Sequence, residues 1–303
     1  MPSPARTTVV TVAGLAVAVL AVSSSAPLIV YAAAPALAIA FWRNAMAVAG
    51  LAPVSVARRR SELGALATTH RREGVLCLFA GVALAVHFGT WVPSAKLTSI
   101  AAAIALVATQ PVWQGLIATA QGRRLPVLSW IGIAVAVAGA AVATGADLGV
   151  SGKAVLGDVL ALLAAVAGAV YNALGERVRT TVSTTSYTTI CYSVCALVLL
   201  GVCLVAGAPL AGYPATTWLA LVGLTVGPQL LGHSLFNHAL KRVAATTVAM
   251  VILLEVPGAA LLGWIWLGQA PPVAAVPGLV LLLAGVAIVL LSARRRPVLA
   301  PPL

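Results

Sequence analysis

Residues 111–139, PVWQGLIATAQGRRLPVLSWIGIAVAVAG, and residues 257–285, PGAALLGWIWLGQAPPVAAVPGLVLLLAG, are two versions of one segment. An ungapped offset of 146 residues lays Pro111 on Pro257, Gly122 on Gly268, Pro126 on Pro272, Gly132 on Gly278 and Ala138-Gly139 on Ala284-Gly285. The same offset carries Gly81 onto Gly227 and His87 onto His233, in a chain with only 4 histidines. The repeat is strong from Gly81 to Gly139 and weak before it, where a shift of about three residues is needed. A near-half-length repeat in a very apolar chain is the mark of a duplicated membrane unit, here residues 1–150 and 151–303.

Composition agrees. Hydrophobic residues make up 61% of the 303 positions and charged residues 8%, against about 25% charged in soluble domains. So few charges cannot cover a soluble protein of this size. The net charge of +12 comes from short basic clusters between apolar runs, which is a topology signal rather than a nucleic-acid footprint. The partner expected from composition is therefore the lipid bilayer, with no nucleic acid. Cys77, Cys191, Cys195 and Cys203 all lie inside apolar runs and imply no disulfide framework.

Ten runs near the ~20 residues that cross a bilayer can be marked. They are Thr8–Ile29, Ala34–Val56, Gly74–Pro93, Thr98–Thr119, Val127–Ala146, Val155–Gly175, Ser183–Gly207, Thr216–Ala239, Ala244–Leu267 and Pro272–Ser292. The first run, with Arg6 before it and the small residues Ala32 to Ala38 after it, has some features of a cleavable leader. Cleavage would leave the first half one helix short, so the run is read as a helix. The fold class is all-α integral membrane, with ten transmembrane helices.

Charge placement is an independent check on the count. Starting from an inside N-terminus, alternation puts Arg6, Arg58, Arg59, Arg60, Arg71, Arg72, Arg123 and Arg124 on one side. Arg177, Arg179, Lys241, Arg242, Arg294, Arg295 and Arg296 fall on the same side. Lys96 and Lys153 fall outside, and Arg43 lies within a helix. That bias matches the positive-inside rule, so both termini are expected in the cytoplasm and the chain in the inner or plasma membrane. Five helices per half is odd, which turns the second half upside down. The two five-helix repeats are expected to be inverted about an axis in the membrane plane, with a substrate site between them near the midplane. Helices four and nine are expected to cross there, flanked by helices three and eight, with His87 in the outer half and His233 in the inner half.

Of the 6 acidic residues, Glu255 alone sits near the middle of a run. A charged side chain at that depth costs about 2.5–3.5 kcal/mol on insertion scales, so it is expected to face the protein interior. Pro257, two residues on, lacks an N–H and frees a carbonyl of the preceding turn, opening a kink beside the acid. Glu255 reads either as a substrate or proton site or as a hydrogen-bonded packing residue. In the eighth run Thr225, Gln229, His233 and Asn237 recur every four residues, a polar face suited to line a cavity or to bond neighbouring helices. The matching face of the third run carries Phe79, Ala83, His87 and Trp91. His87 and His233 are of the residue type that exchanges protons near neutral pH, or they serve as hydrogen-bond partners. Arg43, in Phe41-Trp42-Arg43-Asn44, needs an interior partner or an anionic group on a substrate. Gln110 and Gln114 on the fourth run and Tyr171-Asn172 on the sixth are further candidates, with Ser23-Ser24-Ser25 and Tyr192 behind them. Helices five and ten, nearly all aliphatic and glycine, read as scaffold or as a surface on which two copies pair into a homodimer.

The central prolines with a glycine eleven residues on, in Gln110-Pro111-Val112 to Gly122-Arg123-Arg124-Leu125 and Leu254-Glu255-Val256-Pro257 to Gly268-Gln269-Ala270-Pro271, resemble a known pattern. So does Gly232-His233-Ser234-Leu235-Phe236-Asn237-His238-Ala239-Leu240-Lys241 before the ninth helix. The chain is similar over nearly its whole length to the drug/metabolite transporter superfamily, in its ten-helix EamA-type branch. That resemblance implies a metabolite carrier or exporter. It departs at the two loops, where the family often has Gly-Glu and this chain has Arg123 and Gln269, so no role of those acids carries over.

Nucleotide-hydrolysis motifs such as G-x-x-x-x-G-K-[ST] are absent from the sequence, so an ion or proton gradient is the expected energy source. The expected activity is secondary active transport of a small polar metabolite such as an amino acid, with no cofactor, no bound metal and no catalytic residue. Two other readings stand beside it. A divalent-metal carrier would use His233, His238 and Glu255, although a spacing of five splays the two rings. An intramembrane enzyme would join His87, His233 and Glu255 but lacks a nucleophile motif. The topology gives a first prediction: a reporter fused after Leu303 is active only as a cytoplasmic fusion, and activity outside the cell overturns the helix count.

Overall fold

The structure, a computed structural model, describes residues 4–98, 100–145, 152–267 and 273–294. In chain order the helices are α1 (Pro4–Ser23), α2 (Ser25–Tyr31), α3 (Ala36–Ala67), α4 (Arg71–Leu97), α5 (Ile100–Val107), α6 (Gln110–Ala120) and α7 (Val127–Thr144). They continue with α8 (Gly152–Val178), α9 (Thr184–Val205), α10 (Ala215–Leu224), a π-helical segment (Thr225–His233), α11 (Ser234–Ala239), α12 (Ala245–Ile252), α13 (Glu255–Leu267) and α14 (Val276–Arg294). Among the described residues 9 helices are long and apolar enough to cross a membrane, and Val127–Ala143 is a shorter apolar one. Ala146, Asp147, the Gly268–Pro272 loop and Arg295-Arg296 lie outside the described residues.

The ten sequence runs correspond to these elements with two kinds of difference. The second run does not stop at Val56. Its helix continues to Ala67, bending at Arg59 (φ −133°, ψ 17°), because nothing in Arg58-Arg59-Arg60-Ser61-Glu62 breaks a helix once it has left the apolar stretch. Four runs, conversely, are interrupted. The first changes direction at Ser24, where the Ser23 and Ser24 hydroxyls donate to the carbonyls of Val19 and Ala21 (2.7 Å each). The fourth breaks at Ala108–Thr109 and the ninth at Leu253–Leu254, within one residue of the same place in each repeat. Pro111 and Pro257 each lack the N–H that would bond the carbonyl four residues back. In the eighth run Pro228 does the same, and the chain accommodates it by a π register in which Ser234 N–H donates to Gln229 C=O. π turns inside α-helices are frequent at functional sites.

Helix α3 lies against α9, α7 against α14, α4 against α8, and α1 against the π segment and α11. Exchanging each run with the one five places on maps the first two pairs onto themselves. It maps the third-with-sixth pair onto the eighth-with-first pair. One apolar core joins α3, α4, α8 and α9, a second lies between α7, α12 and α14, and a third between α1, α11 and α12. All four cysteines are buried and free, and Cys191 Sγ donates to the Cys77 carbonyl across α9 and α4 (3.4 Å). Leu20, Val86, Leu197, Leu219 and Val280 are instead exposed, as side chains facing hydrocarbon are expected to be.

The glycines that reveal the repeat have a structural cause. A Cβ on Gly139 would stand 2.3 Å from Leu282 N and 2.8 Å from Gly278 O. On Gly278 it would stand 2.2 Å from Ala143 N, and on Gly285 2.4 Å from Ala136 N. Gly132 and Gly139 on α7 thus meet Gly285 and Gly278 on α14 backbone to backbone, the close crossing that small residues permit in membranes. Gly278→Ala is expected to destabilise the protein by about 1–3 kcal/mol, read as a lower melting temperature in detergent. Gly201→Ala on α9, where a Cβ meets nothing within 4 Å, is expected to leave melting unchanged.

Candidate functional site

A cavity of about 70 Å³, room for several waters, lies where the interrupted helices converge. Its walls come from α1, α2, α3, α4, α5, α6, α8, the π segment, α11, α12 and α13. Helices α7 and α14 contribute nothing to it. Of the residues singled out in the sequence, Arg43, His87, Trp91, Gln110, Tyr171, Asn172, His233 and Glu255 all line this one space. Gln229, Asn237 and Gln114 do not.

Arg43 is 1% exposed and is held in two ways. Its Nε donates to Gln229 Oε1 (3.0 Å), and Gln229 Nε2 in turn donates to Asn44 Oδ1 (3.0 Å). Asn44 Nδ2 is anchored on the Ala40 carbonyl (2.9 Å). The Arg43 guanidinium carbon sits 4.1 Å from the centroid of the Phe88 ring, a cation–π contact. Its two terminal nitrogens, NH1 and NH2, are buried with no partner among the described residues. Arg43 thus has the interior partner the sequence demanded, in Gln229, and still presents a free edge. The carboxylate of Glu255 shares the cavity but makes no ion pair with it among the described residues.

The two histidine rings meet edge-on in the cavity wall with centroids 6.3 Å apart. His87 Nδ1 donates to the Ala164 carbonyl (2.8 Å), since a carbonyl only accepts. That leaves Nε2 directed elsewhere. Gly168 makes this possible: a Cβ there would lie 3.1 Å from both His87 Nδ1 and Gln110 Oε1. Phe88 also packs edge-on against His233 (5.2 Å).

The polar stripe of the eighth run divides between the two roles open to it. His233 faces the cavity. Gln229 holds Arg43, and Asn237 Nδ2 donates to Tyr171 OH (2.5 Å), while Thr225 caps its own turn through the Leu221 carbonyl (2.8 Å). Gln114 is fully buried one turn from Gln110, with neither amide atom partnered. In the matching stripe Trp91 and His87 reach the cavity but Phe79 is 61% exposed. Steps of four drift by about 40° each around an α-helix, so Phe79 turns away from the face that His87 and Trp91 share. Ser25, one of the lower-ranked candidates, also lines the cavity, and sequence reading missed Phe88, Pro228 and Phe236, which line it as well. Phe88 carried no signal, because an aromatic beside a histidine in an apolar run is indistinguishable from core.

Away from the cavity, Arg123 stands where the resemblance leads one to expect an acid. It forks onto Glu176 (2.7 and 2.9 Å), tying the loop after α6 to the end of α8. That hydrogen bonding raises the Arg123 pKa above its ordinary value. His238 stands apart from His233: its Nδ1 meets Thr184 Oγ1 (3.2 Å), and it does not line the cavity. Among the described residues no three His, Cys, Asp or Glu side chains gather as a metal site would require.

The Arg43 network gives a prediction. Gln229→Leu removes the hydrogen bond to a buried cation and is expected to cost about 1.5–3 kcal/mol. Thermal melting in detergent checks this, and an unchanged melting temperature would mean that Arg43 is held by Phe88 alone.

The comparisons with known proteins fall on this architecture. No curated protein matches the chain. Solved structures do: one, titled "Crystal structure of protein", superposes with a TM-score of 0.77 at 23% identity, over 94% of this chain and 98% of that one. That likeness is one of fold. The sequence itself matches the EamA-like transporter family twice, over residues 8–145 and 155–291, once for each half. With both repeats matched and their apolar helices enclosing a polar cavity, the chain belongs to the EamA-like transporter family of membrane transporters.

Proposed function

We propose that the protein is a secondary active transporter that exports a small polar metabolite such as an amino acid, driven by a proton or other ion gradient. The observation that carries this reading is the cavity itself. Residues from both repeats surround it, and it holds Glu255, Arg43, His87 and His233 together in an otherwise apolar helical bundle. Ionisable groups at membrane depth mark substrate and ion pathways. We read the two halves as inverted, with both termini cytoplasmic, in a plasma or inner membrane. The odd helix number per repeat, the basic bias of one side and the self-mapping of the α3–α9 and α7–α14 pairs all support that reading. Export is the direction the family resemblance favours.

Glu255 is assigned the coupling role because it is the acid that lines the cavity and opens a helix segment, α13. The divalent-metal reading is weaker, since His238 bonds Thr184 rather than joining His233 and Glu255. Glu255→Gln, which keeps size and hydrogen bonding, is expected to fold normally and to lose pH-driven uphill transport in vesicles. Exchange of labelled for unlabelled substrate survives, because exchange need not release the proton. Full gradient-driven transport by this variant across pH would transfer the coupling role to His87 and His233.

A further inference from the structure

Three hydrogen-bond donors of residues in the cavity wall have no partner among the described residues: Arg43 NH1, Arg43 NH2 and Asn172 Nδ2. Their residues are 1% and 4% exposed. Buried side-chain donors are nearly always paired, and an unpaired one is most costly on a charged group in a medium of low dielectric. Arg43 is also immobilised. Gln229 takes Nε, and Phe88 covers one face at 4.1 Å. What remains of the guanidinium is its outer edge, a planar fork of two parallel N–H groups. A fork of that geometry is complementary to the two oxygens of one carboxylate.

We infer that Arg43 binds the carboxylate of the transported substrate end-on, with Asn172 donating to the same group, so the substrate class is a small monocarboxylate. The inference rests on the reading of this cavity as the transport site. Three features narrow it. The open positions are donors, so they call for a group that only accepts, which an ionised carboxylate is and an amine or amide is not. One guanidinium balances one negative charge, and Glu255 in the same wall would repel the second charge of a phosphate monoester. The rest of the wall, Phe88, Trp91, Phe236 and Ile252, suits a compact apolar or aromatic body beside the carboxylate. Two sources supply this chemistry: α-amino acids, and organic acids without the amino group.

The test uses the full-length protein purified in detergent, with thermal stabilisation as the readout. The probes are the proteinogenic amino acids, aliphatic and aromatic monocarboxylic acids, and the amide, methyl ester and decarboxylated amine of each compound that stabilises. We expect stabilisation by carboxylates only, with apparent affinity at least tenfold weaker for the amide and ester. We also expect it to fall at least tenfold in Arg43→Lys, which keeps the charge but not the fork, and to survive unchanged in Arg123→Gln. Whether the deaminated acids bind like the amino acids separates the two sources. Amides, esters or amines that bind within threefold of the acids overturn the inference, as does the absence of any stabilising carboxylate or full binding by Arg43→Lys. The comparison of acid with amide on the unaltered chain stands even if a variant fails to fold. Carboxylates that bind but are not carried into vesicles overturn the transport reading and leave this one intact. Saturable transport of compounds without a carboxylate does the reverse.

Discussion

Hydrocarbon offers a backbone amide no hydrogen-bond partner, so a chain crossing it must be helical wherever lipid touches it. Three irregularities of the spanning helices follow from that constraint. The breaks at Ala108–Thr109 and Leu253–Leu254 and the π register around Pro228 all fall inside the bundle, beside the cavity. There, freed carbonyls and bent segments are covered by other helices. Regular helix, as in α7 and α14, occupies the periphery. Functional geometry and backbone satisfaction are thus arranged by the same few prolines, and the cavity opens where the helices can afford to be interrupted.

The glycines solve a second problem that the same solvent creates. Helices in lipid gain no hydrophobic free energy by meeting, and depend on close van der Waals approach. Gly132 and Gly139 meet Gly285 and Gly278 at distances that exclude any Cβ. The repeat exchanges the two contacts, Gly132 with Gly285 becoming Gly278 with Gly139. A duplicated unit whose equivalent helices pack on each other keeps such residues in register in both copies. The α7–α14 contact is such a pair, and its α7 glycines fall within the stretch from Gly81 to Gly139 where the internal similarity is sharpest.

Much of the fold was legible because membrane insertion leaves long, regular signals: apolar length, basic loops, paired prolines and glycines. The family followed from the same residues. The candidate site was legible only in part. Rare polar residues in apolar runs were easy to find, and Arg43, His87, Gln110, Tyr171, Asn172, His233 and Glu255 do line the cavity. Which of them face it was not readable, because that depends on a few tens of degrees of helix rotation. Gln229 and Asn237 sit on the same stripe as His233, yet they turn to Arg43 and Tyr171 instead. Spacing could not reveal the π segment that fixes this rotation. Phe88 was invisible for a different reason: its role under Arg43 depends on a helix far away in sequence.

The placement of Gln229 and Phe88 also accounts for how a cation and an acid coexist in one small cavity. An unrestrained arginine beside a carboxylate would swing onto it, and the resulting ion pair would satisfy both groups and close the space between them. Here Nε is tied to Gln229, which is itself tied to Asn44 and through it to the backbone of α3 at Ala40. The guanidinium face is pinned on Phe88. The arginine therefore keeps two unpartnered nitrogens beside the cavity and makes no ion pair with Glu255 among the described residues. Pre-organising a binding group in this manner costs stability, since two donors stay unpaired in a low-dielectric interior. Residues behind the cavity wall, rather than on it, thereby decide that the wall remains open to a substrate.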